Sequence, residues 1–122
     1  MAIYKHNKGV TLIAGEGTEV YGAAPPVAWT DLDLSAVVGK RPVLVILGIS
    51  CASARYISFR TNGNTDIFSN ASTGPAGVVS FVSEASGNHQ SLIVLTDVNG
   101  VVEWICNSAA TWAYIDVLGY IT

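Results

Sequence analysis

Ser91-Leu92-Ile93-Val94-Leu95-Thr96 and Val101-Val102-Glu103-Trp104-Ile105-Cys106 stand on either side of Asp97-Val98-Asn99-Gly100. Both runs are rich in β-branched or aromatic residues, and the Asn-Gly between them tolerates the positive φ of a tight turn. This pattern predicts a β-hairpin. In the second run Val102, Trp104 and Cys106 oppose Val101, Glu103 and Ile105, the period of two that a half-buried strand shows.

Outward from that stretch the same texture repeats. Strands are predicted near Val10–Ala14, Glu19–Tyr21, Thr30–Leu34, Val43–Ser50, Arg55–Arg60, Val78–Ser83 and Trp112–Ile121. Turn residues separate them at a spacing of roughly ten positions, as in a sandwich or barrel of short strands. Helical periodicity is missing; only Ser35-Ala36-Val37-Val38 suits a helical turn, which Gly39 ends. The fold class is therefore all-β, an antiparallel β-sandwich. Neither proline of Ala23-Ala24-Pro25-Pro26 can donate to a sheet ladder. The chain divides on that reading into an extended N-terminal arm, residues 1–26, and a β-sandwich domain, residues 27–122.

Composition narrows the function. The 122 residues are half apolar and 12% charged, with 6 basic side chains against 9 acidic for a net charge of −3. That is one domain's length, and it excludes a disordered chain. Six scattered cations make no phosphate-tracking footprint, so no nucleic-acid partner is expected. No signal peptide is read at Met1–Lys8. The longest apolar stretch, Pro42–Ile49, falls well short of the roughly 20 residues of a membrane helix. The expectation is synthesis in the cytoplasm, with any exit by lysis and not secretion, no membrane partner, and two free buried thiols at Cys51 and Cys106.

Val43-Leu44-Val45-Ile46-Leu47 does not alternate, so both of its faces call for cover. A two-layer sandwich covers one. With so few charges to solvate the remainder, a symmetric oligomer with an apolar interface is the economical explanation, and the alternative is a monomer that folds its own arm over that strand.

Motifs for chemistry fail on inspection. Gly48-Ile49-Ser50-Cys51-Ala52 approaches a nucleophile elbow, but no helix follows it. Asn62-Gly63-Asn64-Thr65-Asp66 spaces its oxygens like the start of a calcium loop, yet Ile67 and Thr73 stand where glycine and a bidentate glutamate belong. His6 and His89 have no second ligand at metal spacing. Asn70-Ala71-Ser72 is a sequon without a secretion route, and Gly15-Glu16-Gly17 lacks the helix a phosphate cradle needs. The reading is of a chain that is not an enzyme, with no catalytic, cofactor or metal residues. Among the aromatics, Trp112 enters its strand after Asn107-Ser108-Ala109-Ala110-Thr111 and is the one expected to be exposed, as a ligand-stacking face would be.

Ala28-Trp29-Thr30-Asp31-Leu32-Asp33-Leu34-Ser35 and Phe59-Arg60-Thr61-Asn62-Gly63-Asn64-Thr65-Asp66 are two of four motifs that share one likeness. The others are Val102-Glu103-Trp104 and Ala113-Tyr114-Ile115-Asp116-Val117-Leu118-Gly119-Tyr120-Ile121. Together they resemble small all-β virion surface domains of tailed phages and prophages, of the decoration-protein or tail-fibre-tip type. The resemblance spans Trp29 to Ile121. It implies a jelly-roll-like sandwich, assembly as a homotrimer and a place on the outer surface of a virion. It brings no catalytic or ligand residues.

A short arm in place of a shaft favours a capsid decoration (cement) protein, with the major capsid protein as partner. The alternative is a tail-fibre or spike tip that binds a host-surface glycan. In the decoration reading Ile3, Tyr4, Val10, Leu12 and Ile13 of the arm are the capsid or oligomer contacts, gripping a neighbour by strand addition.

Overall fold

The computed structural model describes residues 3–6, 9–13, 15, 17–65, 79–83 and 86–122. Among them ten strands and one helical turn follow in order: β1 (Ile3–His6), β2 (Val10–Ile13), β3 (Thr18–Ala23), β4 (Thr30–Asp33) and α1 (Ser35–Val38). Then come β5 (Leu44–Cys51), β6 (Arg55–Thr61), β7 (Val79–Ser83), β8 (His89–Leu95), β9 (Val101–Cys106) and β10 (Ala113–Ile121). The alternation read from the sequence forms these strands, and every pairing is antiparallel.

Strands β3-β10-β5-β8 lie side by side in the larger sheet, and β4-β9-β6-β7 form the smaller one. From β3 to β10 the chain changes sheet at every step except β6 to β7. That order is a jelly roll, a double Greek key folded into a sandwich.

This topology overturns the hairpin predicted around Asp97–Gly100. Strand β8 pairs with β5 in the larger sheet, while β9 pairs with β4 and β6 in the smaller. The four residues form an arch between layers. Asp97 builds it: its Oδ1 accepts from the N–H of Asn99 at 2.8 Å and of Val101 at 2.9 Å. Its Oδ2 accepts from Asn62 Nδ2 at 2.9 Å, which ties the arch to the turn after β6. Gly100, at φ 77°, packs so closely that a Cβ there would strike the Gly39 carbonyl. Turn composition shows that the chain reverses, but not whether it reverses within a sheet or across the sandwich.

The segment before Pro25-Pro26 also differs from an arm that leaves the domain. β2 and β3 both lie along the edge of β10, Val10–Leu12 against Gly119–Ile121 and Thr18–Ala23 against Ala113–Val117. β1 continues the sheet outward from β2, and the sequence reading had no strand there. The predicted boundary at residue 26 is therefore not a break in the sheet. These strands extend the larger sheet sideways and do not lie over β5.

The core fills the space between the layers. Val45, Leu47 and Ile49 of β5 and Ile115 and Val117 of β10 meet Ile57 and Phe59 of β6 and Val102 and Trp104 of β9, all fully buried. Each such side chain contributes about 1.5–3 kcal/mol by leaving water. Trp104 stacks on Phe59 at 5.9 Å, and Tyr21 meets it edge-on at 4.7 Å from the opposite sheet. Where β5 and β8 end, Thr96 prolongs the ladder: its buried hydroxyl accepts from Val43 N–H and donates to the Arg41 carbonyl, both at 2.9 Å. Cys51 and Cys106 are buried free thiols, and burial pushes the Cys106 thiol above its ordinary pKa.

Candidate functional site

Cross-strand register sorts the outward residues of the larger sheet into rows. One row reads Gly22, Tyr114, Ser50, His89 and the next Glu19, Asp116, Gly48, Ser91. After an irregularity at Leu118 come Leu12, Gly119, Ile46, Ile93 and then Val10, Ile121, Leu44, Leu95. One half of this face is polar and the other apolar.

The polar half is hollow. A cleft of about 860 Å³ lies over it, walled by Tyr114, Asp116 and Glu19 on one side and by His89, Gln90 and Ser91 on the other. Glycines make the hollow. A Cβ at Gly22 would stand 2.9 Å from Glu19 Oε1 and 3.0 Å from the Tyr114 ring, so both side chains rest on bare backbone. Gly48 forms the floor, with Leu118 leaning over it. Tyr114 is 44% exposed, and Trp112 buttresses its ring at 5.0 Å with a tilt of 33°. Ser50 lines the cleft at 5% exposure, and its hydroxyl makes no hydrogen bond with another described residue. Neither Lys nor Arg is among the described lining residues.

Ser50 and His89 are direct cross-strand partners, with two carboxylates nearby. No hydrogen bond between the two side chains is present among the described residues. Among the described residues there is also no group of three His, Cys, Asp or Glu placed to hold a metal. Asn62, Gly63 and Asn64 form a turn closed by Asn64 N–H to the Thr61 carbonyl at 3.0 Å. Asp66, Ile67, Thr73 and the sequon lie outside the described residues, as does Glu16.

The apolar half is the second feature. Leu44, Ile93, Leu95 and Leu12 are each 39–47% exposed and adjoin half-buried Ile46, Ile121 and Val10. Strands β5 and β8 contain no Asp, Glu, Lys or Arg. Val10 and Leu12, proposed from sequence as contacts, belong to this face. Ile13 does not: it is 8% exposed in the chain's own core. Ile3 and Tyr4 lie on β1 opposite Ile13 and Leu12. Trp112 is half-buried beside Tyr114 and does not itself line the cleft.

Sequence reasoning missed the cleft. A signal was present, because glycine inside a strand marks a close approach of other groups. Gly22 and Gly48 both stand inside strands. No helix among the described residues is long and apolar enough to cross a membrane. Comparison with family models, with curated proteins and with solved structures finds no match.

Proposed function

We infer that the protein is a structural assembly module that packs against copies of itself through the apolar half of its larger sheet. One observation carries this reading: a contiguous patch of Leu12, Leu44, Ile46, Ile93 and Leu95 left open to solvent on strands that bear no charge. An exposed apolar patch flanked by polar residues marks an interaction surface. A second copy is the fitting occupant, because two uncharged faces meet without burying an unpaired ion. The arm strands lie in the plane of the sheet, so among the described residues the chain does not cover this patch itself.

The assembly is a homotrimer placed on the outer surface of a phage virion, where it decorates the capsid by binding the major capsid protein. That placement rests on the resemblance of the Trp29–Ile121 motifs, and the jelly-roll order of β3 to β10 is compatible with it. Many weak contacts repeated over a symmetric particle would add up through multivalency. The test mixes purified protein with undecorated capsids and reads co-sedimentation. Wild-type protein co-sediments and Ile46→Lys does not; equal binding by the two would remove this face from the account.

A further inference from the structure

We propose that Asn62-Gly63 is a site of self-modification, where asparagine converts to aspartate or isoaspartate at a rate set by two carboxylates that restrain it. The chemistry needs only the chain and water. The Gly63 nitrogen gives up its proton and attacks Asn62 Cγ; the Cγ–Nδ2 bond breaks, and ammonia leaves with that proton. Water then opens the resulting succinimide at either carbonyl. Glycine suits the nucleophile's position, because without a Cβ it lets the backbone approach closely.

Asn-Gly occurs twice in the chain, and the fold treats the two pairs differently. At Asn99-Gly100 the asparagine is exposed but the backbone is pinned. Gly100 N–H donates to the Asp97 carbonyl at 3.1 Å, and the Gly100 carbonyl accepts from Leu34 N–H at 2.9 Å. Gly100 is also buried against the Gly39 carbonyl, which leaves its nitrogen no room to swing toward Asn99. At Asn62-Gly63 the reverse holds. Gly63 is exposed at φ 85°, and no described group lies within 4 Å of the place a Cβ would take. Its restraints come from side chains: Asn62 Nδ2 donates to Asp97 Oδ2 at 2.9 Å, and Gly63 N–H to Glu103 Oε1 at 2.8 Å. One carboxylate thus holds the leaving amide and the other the nucleophile. Releasing both is a local opening of a surface turn and leaves the sheets intact.

The product does not fit back into the same place. A carboxylate at position 62 has no N–H to offer Asp97 Oδ2, and it repels that oxygen. The same turn fastens β8, through the Thr61 hydroxyl to the Leu95 carbonyl at 2.7 Å. Conversion therefore loosens the arch and the end of β8 in one irreversible step. None of this depends on the self-assembly reading.

The test is peptide mapping by mass spectrometry of the full chain, aged in mildly alkaline buffer beside a free peptide of residues Thr61–Thr65. Asn62 should gain one mass unit and yield isoaspartate before Asn99 does, and more slowly than in the peptide. Glu103→Ala, which frees the Gly63 N–H, should speed conversion at Asn62 at least threefold and leave Asn99 unchanged. Asn62→Asp should unfold at a lower urea concentration than wild type. Conversion at Asn99 first, or an intact Asn62 long after the peptide is spent, would overturn the proposal. So would equal acceleration of both sites by Glu103→Ala, or wild-type stability in Asn62→Asp.

Discussion

The outward faces of the two sheets solve the problem of solvation in different ways. On the smaller sheet Asp31 and Asp33 face water, and Arg60 pairs with Glu103 at 3.0 Å. Trp29 lies over the Arg60 guanidinium at 3.8 Å, and Gly63 N–H donates to Glu103 Oε1 at 2.8 Å. That face is charged, and its partners come from the same chain. On the larger sheet β5 and β8 carry no charge, and their outward side chains are Leu44, Ile46, Ile93 and Leu95 beside a cleft edged with carboxylates. The Arg60–Glu103 pair is thus held within the smaller sheet, while β5 and β8 of the larger sheet expose apolar side chains.

The sharpest way to break this contrast is to unpair the smaller sheet. Glu103→Gln leaves the Arg60 guanidinium, 14% exposed, without a counter-charge. Removing one member of a well-buried pair costs about 3–5 kcal/mol. Here, with some solvent access and the Trp29 face still over the guanidinium, urea denaturation should show a loss of about 2–3 kcal/mol. Asp97→Ala comes next. It removes the acceptor of two backbone N–H groups and of Asn62 at the arch between the sheets, at a cost of about 1–2 kcal/mol in the same assay.

Acid sharpens the same point. For Glu103 burial alone would raise the pKa, but the Gly63 N–H and Arg60 together hold it below the ordinary value. Asp97 behaves alike, its burial outweighed by bonds from Asn62, Val101 and Asn99, and Asp33 is lowered chiefly by its hydrogen bonds with Ser35. A lowered native pKa means that the unfolded chain binds more protons. The stabilisation is therefore complete above the unfolded carboxylate range and is lost as pH falls through the native values. Thermal melts should drop steadily from about pH 5 to about pH 3, and Glu103→Gln should flatten part of that slope.

The smallest effect belongs to the larger sheet. Leu95→Lys places a charge on a residue already 43% exposed and should alter the isolated domain's stability by less than about 0.5 kcal/mol. A large loss of stability there, in a protein kept monomeric, would mean that the face is core after all.

The sequence made some of this plain and hid the rest for physical reasons. Val102-Glu103-Trp104 alternates and the structure buries Val102 and Trp104, as alternation selects, whereas at Ile57-Ser58-Phe59 all three residues are fully buried and the outward face of β6 is covered too. Among the described residues Ser35–Val38 forms the one helical turn, ended by Gly39 as read. What alternation cannot say is which strand lies beside which. Asp97–Gly100 has the composition of a hairpin and makes an arch, because the inward faces of β8 and β9 are satisfied equally well across a sandwich. The cleft was hidden for the same reason. Glu19, Gly48, His89 and Asp116 are far apart in the chain, and only the order β3-β10-β5-β8 brings them together. The unbroken apolar run at Val43–Leu47, in contrast, pointed directly to a strand with a second face to cover.

That second face is the centre of the account, and the mass of the particle in solution tests it most directly. Multi-angle light scattering at micromolar concentration should give three times the 12.8 kDa chain mass for the wild-type protein. Ile46→Lys should give one chain mass with an unchanged circular dichroism spectrum. A wild-type protein that runs as a clean monomer, or a trimer indifferent to Ile46→Lys, would contradict it.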